Sequence, residues 1–261
     1  ASGSPDEAAP RALPKTMDEI EPAITKERAI ESIRSFGQCR ALSPTFKYAM
    51  KLLNDSRASI EQIAASLKRD HALAVHTVEQ AAVRIGMSEL RNIVMSVAVM
   101  DQFGGEEFEG LIDITSFWEH AIATAMFCQE LARETRSMDP EEAFLVGLLH
   151  DVGRVVMIEQ FGKRYADCLD TARSIGRPLH LVEKRCFHLD HTDVAASVFG
   201  AWHFPETLAA PVASHHLSFA NLKHLNPGLI PITGTLIRAD RLADASIFGS
   251  SGERWLTPFD E

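Results

Sequence analysis

Apolar residues along this chain recur at three- and four-residue intervals, and in no stretch do β-branched residues alternate between turn signals. The spacing therefore predicts helices throughout and no sheet. Residues 1–16 carry three prolines among small and charged residues without a period, and read as a flexible leader. Ile24, Ile30, Ile33 and Phe36 line one helix that stops at Gly37. Ser43 and Pro44 open a second, as N-cap and first helical residue. Ser59 and Gln62 form a capping box for a third, with Ile60, Ile63, Ala64 and Leu67 on one face. Two further helices meet at Gly86 and Ser88, and Gly104–Gly105 closes this block. Beyond it the pattern predicts helices at about 115–136, 139–160, 162–175, 179–188, 191–201, 205–220 and 231–245. The sequence Asp139-Pro140-Glu141-Glu142 supplies a cap, a proline and first-turn acids for one of them.

The expected organisation is all-α: a leader (1–16), an N-terminal helical part (17–110), a C-terminal helical part (111–245) and a tail (246–261) that Trp255 and Phe259 dock. No internal repeat is visible. With 261 residues, 46% of them hydrophobic, the chain can bury a substantial core. Its net charge of −10 argues against a broad nucleic-acid surface or an anionic membrane surface. Cys39, Cys128, Cys168 and Cys186 are far apart and form no CxxC pair, so they read as reduced thiols rather than disulfides or a zinc site. No apolar run approaches the ~18 residues of a membrane span, and the start does not read as a signal peptide. The expectation is a soluble, cytoplasmic protein.

One segment breaks the pattern. In "EEAFLVGLLHDVGRVVM" a histidine and an aspartate, His150 and Asp151, interrupt an otherwise apolar run. The C-terminal part also holds His120, His191, His215, His216 and Asp240 at helix-compatible positions. Imidazole with carboxylate suits iron, manganese, zinc, cobalt or nickel better than calcium or magnesium. Adjacent residues on a helix point about 100° apart, so the doublet reaches one ion only where other helices converge. Each residue alone also has an ordinary reading. His120 fits a core face, His215 and His216 fit a helix end, and Asp240 could pair with Arg238 or Arg241. Trp118, Trp202 and the methionines read as packing residues. Glu183 reads first as a solvated or salt-bridging residue and second as one that orients a histidine. His188 fits an exposed helix end; His71, His76, His180, His203 and His224 are assigned no role.

Taken in order, "FWEHAIATA", "VGLLHDVGRVVM", "HLDHTDVAASVFGAWHFPETL" and "SHH" resemble the HD superfamily of metal-dependent phosphohydrolases. With "ALSPTFKYAMKLLND", "SIEQIAASLKRD" and "AAVRIGMSELRNIV", the chain is similar to the bacterial HDOD signalling proteins over roughly residues 36–245. The resemblance implies that His120, the His150–Asp151 doublet and Asp240 hold one metal. It implies that His191, His215 and His216 match the extra histidines of HD-GYP phosphodiesterases, where a second metal is bound and the counterpart of Asp151 bridges. The implied cofactor is a mono- or dinuclear divalent transition metal, iron or manganese first, then zinc, nickel or cobalt. Asp151 would orient a catalytic water, and Arg154, in the place of the usual lysine, would bind a phosphate oxygen.

The chain departs from the pattern in three places. No Gly-Tyr-Pro turn follows the histidine pair, and Ser116 stands where some relatives have a glutamate for a third metal. About twenty residues of the usual pattern are also absent between Val75 and His76. The resemblance therefore implies a regulatory, protein-interaction module with an HD-type metal site and other signalling proteins as partners. The alternative it carries is an active phosphohydrolase or phosphodiesterase with a phosphoester or nucleotide ligand.

Overall fold

The computed structural model describes residues 14, 16–44, 46–47, 86–103 and 111–246. The Val75–His76 junction, the 59–85 helices and the tail with Trp255 and Phe259 lie outside the described residues. Every regular element among the described residues is helical, as the spacing requires. The helices are α1 (Lys26–Cys39), α2 (Met87–Phe103), α3 (Ile114–Thr135), α4 (Pro140–Leu149), α5 (Val152–Phe161), α6 (Lys163–Ile175), α7 (Leu179–Phe187), α8 (His191–Ala201), α9 (Glu206–Ser214) and α10 (Ile230–Ala245). Short 3-10 turns lie at Met17–Glu19 and Phe219–His224. None of the described helices is long and apolar enough to cross a membrane.

Helix α4 is the centre of the bundle because it has no polar face: Ala143 through Leu149 are all buried. Its start is as expected, with the Asp139 carboxylate accepting from the Glu141 and Glu142 amides and Pro140 in the first turn. Helices α2, α3, α9 and α10 pack along it, and α8 joins α9 to α5 beyond the His150–Asp151 doublet.

The N-terminal segment is fastened by Arg40. Its guanidinium pairs with Glu159 on α5 and donates to the Gln102 carbonyl of α2, while its own carbonyl accepts from Trp202 Nε1. Phe36, Phe103, Trp202 and Phe204 form an aromatic cluster around that point. Trp118 packs edge-on against Phe117, so both tryptophans act as packing residues.

Two expected helices are corrected. The segment 139–160 is two helices, not one: α4 ends at Leu149 and α5 begins at Val152. Asp151, with φ −99° and ψ 7°, breaks the ladder between them. Apolar residues flank the doublet on both sides, and no proline or glycine stands at the break itself. The segment 205–220 stops at Ser214, and a tight turn through His215 and His216 follows.

A candidate metal centre

The break at Asp151 delivers both residues of the doublet to one place. His150 closes α4, Asp151 stands at the N-cap of α5 without capping it, and both side chains turn inward. Two glycines make this approach possible. A Cβ on Gly147 would lie 2.6 Å from Ala125 Cα of α3. A Cβ on Gly153 would lie 1.9 Å from the carbonyl oxygen of His191, the first residue of α8. The "GLLHDVG" spacing thus places the doublet between two backbone-to-backbone contacts, one toward His120 and one toward His191.

Asp151 divides the site. Its Oδ1 faces His191 Nε2 at 3.3 Å and His215 Nε2 at 3.7 Å. Its Oδ2 lies 3.6 Å from His150 Nε2 and accepts from Arg154 Nη1 at 2.8 Å. On the Oδ2 side, Asp240 Oδ1 lies 3.1 Å from His120 Nε2 and 3.4 Å from His150 Nε2. On the Oδ1 side, His216 Nε2 meets His191 Nε2 at 2.8 Å. The donor atoms of His120, His150 and Asp151 all fall within 4.8 Å of one another, as do those of His191, His215 and His216, and those of His120, Asp240 and Asp244. The eight residues singled out in the sequence therefore converge: six helices or helix ends bring together five histidines, two aspartates and Arg154.

The far ring nitrogens fix the tautomers. His150 Nδ1 donates to the Gly147 carbonyl and His215 Nδ1 to the Val212 carbonyl, each at 2.7 Å. His191 Nδ1 donates to Glu183 Oε2 at 2.6 Å. Each turns its Nε2 toward Asp151, where it would serve as a ligand once deprotonated, and those of His150 and His215 are buried without a hydrogen-bond partner. Metal-ligating histidines are oriented in this way, the outer N–H tied to a carbonyl or carboxylate. Buried nitrogens left in this state fit a divalent transition metal better than they fit a dry core. These clusters could hold metal.

Electrostatics point the same way. Burial alone would raise the Asp151 carboxyl, but His150, Arg154, His191 and His215 outweigh it and hold the group far below the usual carboxylate range. Burial likewise opposes charge on His150 and His191, yet Asp151 with Asp240, and Glu183, lift these imidazoles to about 9. Burial and the neighbouring imidazoles push His215 down to about 4. The buried carboxylates thus draw compensating positive charge into the cluster. A narrow pocket of about 10 Å³ opens on the site, lined by Arg154, Leu179, His191, His216, Asp240 and Asp244 among others.

Glu183 corrects its first reading. It is fully buried, and it accepts from the His191 amide, the His191 ring and the Tyr165 hydroxyl, so it is the orienting residue and not a solvated one. Arg154 lines the pocket but also holds Asp151, with its guanidinium over the Phe117 ring at 5.6 Å. Sequence reading missed Asp244, whose Oδ1 lies 3.6 Å from His120 Nδ1. Its position one turn after Asp240 was the available signal. His188 is exposed at a helix end, as expected. His180 had been given no role, yet its ring stacks on that of His216 with centroids 4.2 Å apart.

Comparison with known proteins adds the family. Residues 74–218 match the HDOD domain model, a stretch that includes all the site residues except Asp240 and Asp244. A curated protein of Treponema pallidum (strain Nichols), itself uncharacterised, is 23% identical over 62% of this chain and only 30% of its own length. The chain thus spans under a third of that relative. Among solved structures, an HDOD domain protein of unknown function from Geobacter sulfurreducens superimposes with a TM-score of 0.70 at 20% identity, covering 90% of this chain and 83% of that one. A protein of Shewanella amazonensis SB2B, provisionally named a phosphohydrolase, gives 0.65 at 23% identity, covering 85% and 84%. At these identities the superpositions establish the fold.

Proposed function

The chain belongs to the HDOD family, and from that premise we propose that its C-terminal bundle holds a pair of divalent transition metals and hydrolyses a phosphate ester. The observation that carries this reading is the division of Asp151, one oxygen toward His191 and His215 and the other toward His150. A single carboxylate serving two histidine groups is what a shared ligand between two cations requires. The positions would be His120, His150, Asp240 and Asp151 on one side, and His191, His215, His216 and Asp151 on the other. Five imidazoles with two carboxylates favour iron or manganese where the carboxylates lie, and also suit zinc, nickel or cobalt. Bound cations supply Lewis acidity toward a phosphoryl oxygen and make water acidic enough to act as a nucleophile near neutral pH.

The chain's own groups do the rest. The Asp151 carboxylate, kept ionised by Arg154 and by the raised His150 and His191 beside it, accepts a hydrogen bond from a water in the pocket and orients it. Arg154 lines the pocket and holds Asp151 through Nη1, and the guanidinium would meet a phosphate oxygen from that wall. Glu183 keeps His191 in one tautomer.

One further observation favours a regulatory reading of the same site. Helix α5 follows directly on Asp151 and carries Glu159 in its last turn, which pairs with Arg40 at the end of α1. Occupancy of the site would be relayed along α5 to the N-terminal helices, where other signalling proteins would dock.

Metal analysis of the purified protein, with phosphomonoester and phosphodiester screens on the wild type and Asp151→Ala, tests both readings. The hydrolase requires about two metals per chain and turnover that Asp151→Ala abolishes. Less than a tenth of a metal per chain sinks the metal centre. Full metal with no turnover on any phosphoester leaves the regulatory reading.

A further inference from the structure

His216 differs from the other histidines of its half of the site. His191 and His215 each have Nδ1 tied by a hydrogen bond, to Glu183 and to the Val212 carbonyl. His215 can use a carbonyl three residues back because it caps α9. His216 lies one residue further on, inside the turn closed by the Leu217 amide on the Ser214 carbonyl. Among the described residues no hydrogen bond reaches its Nδ1. An imidazole on a turn, with no tie on its outer nitrogen, would sample several ring orientations, and a ligand in that state binds weakly.

The His216 Nε2 meets His191 and one side of the ring adjoins that of His215; the residue that lies flat on it is His180. The two imidazoles lie nearly parallel, 16° apart, with centroids separated by 4.2 Å. His180 Nδ1 is buried with no hydrogen-bond partner. The placement follows from helix spacing. His180 and Glu183 are three residues apart on α7 and share a face. That face grips the Oδ1 side of the site twice, Glu183 on the edge of His191 and His180 on the flat of His216.

We propose that His180 is a positioning residue for the cation position formed by His191, His215, His216 and Asp151, holding His216 by ring stacking where its neighbours are held by hydrogen bonds. The inference rests on the dinuclear reading above. It makes the two halves of the site separable, because His180 touches neither His120 nor Asp240.

Chelator-treated protein titrated with Zn²⁺ and followed by calorimetry tests this, with bound zinc counted after desalting. Wild type takes up two ions per chain. His180→Ala retains one tight ion and binds the second about 10–100-fold more weakly, while its melting temperature before metal addition stays close to wild type. His180→Phe, which keeps a flat ring and removes both nitrogens, restores the second ion. His180→Gln, polar and without a ring face, behaves as His180→Ala. Two tight ions in His180→Ala overturn the inference and leave the metal centre standing, and so does a His180→Gln indistinguishable from His180→Phe. No ion in wild type sinks the metal centre and this inference together. Should His180→Ala fail to fold, the Phe and Gln variants decide alone.

Discussion

Replacing Gly153 with alanine inserts one methyl group at the closest backbone approach in the site. The new Cβ would lie 1.9 Å from the His191 carbonyl oxygen, 2.8 Å from its carbon and 3.1 Å from the Ala195 nitrogen. All three atoms belong to the backbone of α8, so no side chain can swing away. Relief requires α5 and α8 to part by about 1 Å in an interior packed to crystal density. Overpacking of this kind costs about 1–3 kcal/mol, and the upper end applies where backbone meets backbone. For a chain of this size that lowers the melting midpoint by roughly 5–10 °C. The same movement carries His191 away from Asp151 Oδ1, now 3.3 Å from it, while Glu183 holds the ring and amide of His191 from behind. Loss of the second metal should therefore accompany loss of stability. Differential scanning calorimetry and metal analysis read the two effects. Gly200→Ala is the control, since a Cβ there meets nothing within 4 Å. It should stabilise α8 by about 0.4–1 kcal/mol. A Gly153→Ala protein that melts within a degree of wild type with undiminished metal would refute the close-approach argument.

Other perturbations separate the parts of the site. Asp151→Asn keeps the shape but removes the charge facing both histidine groups, so metal content should fall below one per chain by elemental analysis; two retained metals would refute the sharing of Asp151. Glu183→Gln should weaken only the second ion, about 10–100-fold by zinc titration, and equal weakening of both would refute its assignment to His191. Arg154→Ala leaves the buried Asp151 without its ion pair and should cost chelator-treated protein about 3–5 kcal/mol in urea unfolding; a loss under 1 kcal/mol would show that the pair contributes little. For pH, His150 and His191 have folded pKa values raised to about 9, so their contribution is complete below about 6.5 and is lost as pH rises through 9. Chelator-treated protein should lose stability across that window, whereas metal affinity should rise over it as the competing protons leave. Parallel slopes in the two experiments would contradict this.

Much of the site was legible because its histidines and aspartates stand out against apolar neighbours. His150 and Asp151 have no ordinary place in "GLLHDVG", whose helix has no polar face to receive them. The break between α4 and α5 was not legible. It arises where Asp151 turns toward histidines from elsewhere in the chain, a tertiary cause that leaves no glycine or proline at the break itself. Glu183 and Asp244 were obscured for a different reason. A carboxylate on an amphipathic helix looks solvated until the packing of its neighbours is known, and only the fold reveals that Glu183 is sealed beneath Tyr165 and His191. Helix ends were best read where a local cap set them, as at Asp139–Pro140, and worst where a turn was imposed from outside, as after Ser214.

The contact between His120 and Asp240 joins residues 120 positions apart. The cysteines described, Cys128, Cys168 and Cys186, are all free. A cation held between α3 and α10 would then be this bundle's long-range covalent-like staple, closing a loop whose entropy in an unfolded chain is worth about 4–5 kcal/mol by the measure used for disulfides. Unlike a disulfide, such a staple opens and closes with the supply of metal. The rigidity of the whole C-terminal bundle would thereby follow the metal content of its surroundings.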